Sequence, residues 1–110
     1  MPNVSERIKS TVETNKIVIF MKGNRHFPQC GFSASTIELF EALGAPFETV
    51  DVLQDMEIRE GVKQFTKWPT IPQVFINGKF IGGCDIVREM YESGELRELL
   101  QTRGIETRAA

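Results

Sequence analysis

Cysteine is scarce in this sequence, with only Cys30 and Cys84 among 110 residues. Two thiols so far apart make no disulfide framework, and their rarity fits a reducing compartment. Charge of one sign is lacking as well. Thirteen Lys and Arg stand against 15 Asp and Glu, a formal net charge of −2, which argues against the strong field that holds a nucleic acid or another polyanion. Long apolar runs are absent too. The longest, "IVIFM" from Ile17 to Met21, is far too short to span a bilayer. No secretory leader pattern precedes the first predicted element, and the N-terminal residues lack the Arg- and Ser-rich, acid-poor character of a transit peptide. A soluble, cytoplasmic protein without membrane or nucleic-acid partners is expected. There is no internal repeat, linker or low-complexity segment, so residues 1–110 are expected to form one domain.

What is present alternates between strand and helix patterns. Asn3 followed by Glu6 resembles a capping box, and Val4, Ile8 and Val12 repeat at helical spacing up to about Asn15. The β-branched run "KIVIFM" has the pattern of a strand buried on both faces, and is expected to be central. After the loop "KGNRHFPQ", the residues Phe32, Thr36, Leu39, Phe40 and Leu43 make a stripe that stops at Gly44. "PFETVDV" alternates like a strand, and Asp55 is placed to cap a helix with Ile58, Val62 and Phe65 on one face. Two prolines in "TKWPTIPQ" forbid helix there. "QVFINGKFIGG" reads as two strands joined at Asn77-Gly78, a strong hairpin signal. A last helix is expected from about Asp85, with Ile86, Val87, Met90 and Tyr91 on one side, a break at Gly94, and a continuation through Leu96, Leu99 and Leu100. The tail "TRGIETRAA" looks frayed. The order αβαβαββα indicates a compact α/β fold.

Cys30 falls at the start of the second helix, where unpaired backbone N–H groups and the helix dipole favour a thiolate, the reactive form of cysteine. Gly31 beside it leaves room for a ligand, and Ser33 offers a hydroxyl that can bond to a thiolate but cannot form a disulfide. The bland alternative is a buried, inert cysteine, which seldom occupies a helix cap in a polar loop. Lys22 after the central strand, Arg59 and Lys63 one turn apart, and the "GGCD" of Gly82 to Asp85 could ring a small anionic ligand. A solvated charged surface and a simple turn at Gly82-Gly83 compete with that reading.

Together, "FMKG", "PQCGFS", "WPTIPQVFINGKFIGGCD" and "ESGEL" closely resemble the CGFS-type monothiol glutaredoxins of the thioredoxin superfamily. The resemblance runs over about residues 3–101, leaving 102–110 as a tail, and implies a thioredoxin-like fold with a central four-stranded mixed sheet flanked by helices. Members often have Thr-Pro after the Lys-Gly; here Asn24-Arg25-His26 fills that loop and brings the one histidine of the chain close to Cys30. Carried over, the resemblance makes Cys30 the active cysteine. Lys22 and Arg59 become contacts for the glycyl carboxylate of glutathione, and Ile71 the backbone that pairs with its cysteinyl residue. Pro72 is implied to be cis, Gly83, Cys84 and Asp85 to hold the γ-glutamyl end, and Trp68 to be wall or packing.

Two functions follow from such a site. In the first, which the resemblance implies, a homodimer shares a labile [2Fe-2S] cluster for transfer to apo iron-sulfur proteins, each subunit giving the Cys30 thiolate and one bound glutathione, with a monomeric apo form; a BolA-like protein in place of one subunit is implied by the family alone. In the second, Cys30 works as a glutathione-dependent oxidoreductase on mixed disulfides, without an internal bridge because Ser33 stands where a second thiol would be. A redox-sensing interaction module is a third, plainer reading. His26, close before Cys30, could favour the thiolate as an imidazolium, and Cys84 could act as a resolving thiol, expected to be less exposed than Cys30.

Overall fold

The computed structural model describes residues 3–108. The capping residues act as their chemistry requires. Asn3 accepts the Glu6 N–H at 2.8 Å and starts α1 (Val4–Thr14), and Asp55 accepts the N–H groups of Glu57 and Ile58 to start α3 (Met56–Thr66). α2 (Gly31–Leu43) has Cys30 as its N-cap and ends at Gly44 in the left-handed region, φ 70°, a conformation that glycine adopts without Cβ strain.

Four strands form one mixed sheet in the order β2-β1-β3-β4. β1 (Ile17–Met21) is central and buried throughout, as its unbroken apolar run requires. It runs parallel to β2 (Glu48–Asp51) and antiparallel to β3 (Gln73–Ile76), with Ile19 opposite both Thr49 and Val74. β3 turns into β4 (Lys79–Gly82) through Asn77 and Gly78, at φ 51° and 79°, the pair of positive values of a type I′ hairpin.

Because side chains alternate across β1, the two faces of the sheet carry separate cores. Ile17, Ile19 and Met21 pack with Phe40 and Leu43 of α2 and with Val87, Leu96 and Leu100, which come from α4 (Cys84–Ser93) and α5 (Glu95–Thr102). Val18 and Phe20 face Ile8 and Val12 of α1 and Ile58 and Val62 of α3. This is the thioredoxin-like, four-stranded mixed sheet expected from the sequence, with the last helix divided in two at Gly94.

Three local expectations are corrected. Phe32 is not part of the buried stripe; it is 62% exposed, and Ser33, Thr36, Ile37, Phe40 and Leu43 form the inner face of α2. At the start of the helix it is Ser33, not Phe32, that faces inward and receives the Lys22 N–H, and Phe32 is left on the cavity lining. Phe65 and Ile86 are exposed in the same way at the ends of their faces. α4 opens at Cys84, within one residue of the expected start. The tail is not frayed over its described part: Ile105 is 3% exposed and joins the core beside Leu100, and the Arg108 N–H bonds to the Leu43 carbonyl. Ala109 and Ala110 lie outside the described residues. Ile105→Ala is expected to destabilise the fold by about 2–5 kcal/mol, the usual range for emptying a buried aliphatic site, read as a lower denaturant midpoint with an unchanged slope.

Candidate functional site

The carboxyl end of β1, the start of α2, the segment before β3 and the start of α4 meet around a cavity of about 700 Å³. Each wall has a local cause. Beyond β1, Gly23 takes φ 89°, and a Cβ there would collide with the backbone of Phe27 and Gln29. Its N–H donates to Asp51 Oδ1 at 3.0 Å, tying the residue after Lys22 to the end of β2. The loop that follows folds on itself: Asn24 Oδ1 accepts the N–H groups of His26 and Phe27. Arg25 bonds Glu41 of α2 at 2.8 Å and stacks 3.9 Å above the Phe47 ring. The unusual Asn24-Arg25-His26 sequence is therefore an anchored turn, fastened to the flank of the helix that carries Cys30.

Cys30 is half-buried at the cavity mouth. Its sulfur accepts no full cap hydrogen bond, yet its pKa lies below the ordinary thiol value. The Ser33 N–H is the main cause, with the Phe32 N–H, the Lys22 ammonium and the Ser33 hydroxyl adding to it, while burial opposes them. Ser33 is fully buried, and its oxygen also accepts the Lys22 N–H at 3.2 Å. The hydroxyl in place of a second thiol thus joins the end of β1 to the first turn of α2.

Across the cavity, the Ile71-Pro72 bond is cis, as expected, and Trp68, Pro69 and Thr70 continue that wall. Gly83 caps α4 with an extended backbone; a Cβ there would lie 3.2 Å from the Pro72 carbonyl and 3.3 Å from Trp68 Nε1. Cys84 is 6% exposed, with Arg88 Nη2 3.8 Å from its sulfur, and Asp85 follows on the lining. Cys30 is accordingly the more accessible thiol.

Of the residues singled out from the sequence, Lys22, Cys30, Ile71, Pro72, Gly83, Cys84 and Asp85 converge on this one cavity. Arg59 is not among its lining residues. It lies one turn before Lys63, which does line the cavity, and its Nε is buried without a partner. Trp68 is a wall residue, packed on Phe80 with ring centroids 5.8 Å apart. His26 is exposed and is not among the groups that lower the Cys30 pKa. Sequence reasoning missed Phe32 and Ile86 as exposed lining residues and Gln73 as a buried polar one. Among the described residues, no group of three or more His, Cys, Asp or Glu could hold a metal ion within one chain. No helix among the described residues is long and apolar enough to cross a membrane.

Iodoacetamide should therefore alkylate Cys30 and leave Cys84 largely unmodified in the folded protein. Because the folded-state pKa of Cys30 is lowered, its thiolate persists as pH falls below the range where an ordinary cysteine protonates. The rate against pH should show a midpoint below that of a free thiol. Lys22→Ala should move the midpoint upward and His26→Ala should leave it in place; a His26→Ala curve shifted as far as that of Lys22→Ala would contradict the geometry.

Comparison with known proteins agrees with this geometry. The glutaredoxin family model matches residues 17–81. A protein of Synechocystis sp. named as a ycf64-like monothiol glutaredoxin is 52% identical over 100 residues, covering 91% of this chain and 94% of its own. The solution structure of a monomeric truncated mutant of Trypanosoma brucei 1-C-Grx1 superposes with a TM-score of 0.90 at 40% identity over the whole of both chains. The buckwheat glutaredoxin-glutathione complex does so with a TM-score of 0.82 at 34% identity, over 92% of this chain and 90% of that one. A thiol at the N-cap of α2 without a partner thiol at position 33, set on this sheet and matched by these relatives, shows that the chain belongs to the glutaredoxin family, among its monothiol members.

Proposed function

We propose that this monothiol glutaredoxin binds glutathione in the cavity beside Cys30 and carries a labile [2Fe-2S] cluster as cargo between two subunits for delivery to apo iron-sulfur proteins. The observation that carries the reading is the position of Cys30: an activated thiol at the mouth of a ligand-sized cavity, with Ser33 committed to structure beside it. One such chain supplies one accessible thiolate. A four-thiolate cluster site is then completed by two chains and two external thiols, and glutathione is the thiol whose charges suit the walls. Lys22, with Arg59 behind Lys63, would meet the glycyl carboxylate. The Ile71 backbone beside Pro72 would pair with the cysteinyl residue. The N–H groups of Gly83 and Cys84 at the start of α4, with Asp85, would receive the γ-glutamyl carboxylate and ammonium.

Because half the ligands are exchangeable small molecules, the cluster is held loosely, as a donor requires. Apoproteins that accept the cluster, and a BolA-like protein in place of one subunit, are the partners this arrangement suits. The rarity of cysteine fits work in a reducing compartment such as the cytoplasm.

The lowered Cys30 pKa favours a second reading, a monothiol oxidoreductase. There the Cys30 thiolate attacks the glutathione sulfur of a mixed disulfide and expels the substrate thiolate. A second glutathione thiolate then releases Cys30 as oxidised glutathione forms. Anaerobic incubation with iron, sulfide and glutathione separates the two. A brown dimer that bleaches on chelation and loads a defined apo-ferredoxin is the expected result. A colourless monomer that rapidly turns over glutathione mixed disulfides would replace the carrier by the enzyme.

A further inference from the structure

Ser33, Thr36 and Gln73 are the buried polar side chains of the described chain. Ser33 serves the thiol, and Thr36 bonds within its own helix to the Phe32 carbonyl. Gln73 does neither. It opens β3, is 0% exposed, and places an amide beneath the cavity wall, where an unpaired polar group would be costly.

Every polar atom of that amide has a partner. Nε2 donates to the Trp68 carbonyl at 2.9 Å and to the Thr70 carbonyl at 3.1 Å, while Oε1 accepts the Thr66 hydroxyl at 2.9 Å. Carbonyls only accept, so the NH₂ end has to face the loop, and the orientation of the amide is fixed by its partners. Thr66 has one hydroxyl proton, which faces both Gln73 Oε1 and the Val62 carbonyl, the latter at 3.0 Å, and its oxygen accepts the Trp68 N–H at 3.1 Å. Trp68 is therefore held at both its N–H and its C=O, through one buried amide and one hydroxyl.

The wall needs such a clamp. Among the described residues, no turn or loop hydrogen bond between backbone groups holds Trp68 to Ile71, and Pro69 and Pro72 have no N–H to offer. Yet Trp68 to Pro72 are consecutive lining residues of the cavity. We propose that Gln73 is the positioning residue of this wall: its amide fixes the Trp68 and Thr70 carbonyls and thereby sets where the Ile71 backbone meets the ligand. The inference rests on the glutathione reading of the cavity. Gln73 touches no ligand and acts through the loop.

Gln73→Met keeps the length of the side chain and removes both donors. Titration with reduced glutathione, followed by backbone amide shifts, should show affinity weakened by roughly tenfold, as expected when two carbonyls lose a shared donor. Alkylation of Cys30, on the opposite wall, should keep its wild-type rate and pH midpoint. Thr66→Val, which removes only the hydroxyl, should weaken glutathione in the same direction, and adding it to Gln73→Met should cost little more, because both act through one network. It carries the test alone should Gln73→Met not fold. A lower melting temperature with wild-type glutathione affinity in both variants would overturn the proposal, since Gln73 would then be only a core residue. Failure of the wild-type protein to bind glutathione would overturn the glutathione reading itself, and with it this role.

Discussion

Cys30→Ser protein, incubated anaerobically with iron, sulfide and glutathione, is expected to elute as a colourless monomer. A serine hydroxyl stays protonated at neutral pH and is a poor ligand for iron in a sulfur-rich cluster. No other group of the described chain can take over. Cys84 is buried on the far wall and His26 is turned outward in the anchored loop. Cys30 sits on a cap and not in either core, so the fold should be retained, and an unchanged melting curve makes the loss specific. A chromophoric dimer from this variant would remove Cys30 from the ligand set and end the carrier assignment.

Omitting glutathione should be nearly as severe. It stands for half of the proposed ligands, and among the described residues no group of three or more His, Cys, Asp or Glu could hold a metal within one chain. Wild-type protein reconstituted with iron and sulfide alone should therefore stay apo, and gel filtration of a loaded sample into glutathione-free buffer should bleach it. Lys22→Ala or Arg59→Ala should give an intermediate result, raising the glutathione needed for half-loading by an amount equivalent to about 1–3 kcal/mol, the range of a charge-assisted hydrogen bond. Full loading without glutathione would mean that other protein groups ligate the cluster, with Cys84 and His26 the first to substitute.

The parts of the fold that can be read from the sequence are those whose cause is local. The buried run of β1, the caps at Asn3 and Asp55, the Gly44 stop and the Asn77-Gly78 turn each follow from a few adjacent residues. What cannot be read depends on which residue ends up beneath which. Phe32 continues a helical stripe in the sequence, but in the fold it stands exposed on the cavity lining. Ile105 stands among polar neighbours and gives no periodic signal, yet the space beside Leu100 receives it. Gln73 has the look of an outward polar position at the start of a strand, and only the fold shows that two carbonyls wait for its amide. In the site, Cys30 is marked by its place before a helix. The convergence of Lys22, Ile71 and Gly83 comes from distant segments: charge and glycine pattern suggest Lys22 and Gly83, and only the resemblance of whole motifs adds Ile71.

The contact between the tail and the end of α2 reaches back to the thiol. Gly44 leaves no room for a Cβ, which would lie 2.8 Å from Arg108 Cβ, and the Arg108 N–H closes on the Leu43 carbonyl. Arg97 of α5 in turn bonds the Arg108 carbonyl, so three segments knot together at the end of α2 farthest from Cys30. At the other end, Ser33 ties the first turn to β1. A rod pinned at both ends does not unwind from its tip, and amide protons of residues 40–44 should exchange with solvent only in larger openings of the molecule. Beyond the swing of its own side chain, the sulfur then crosses the cavity mouth only if the whole helix moves with it, and both ends of that helix are moored.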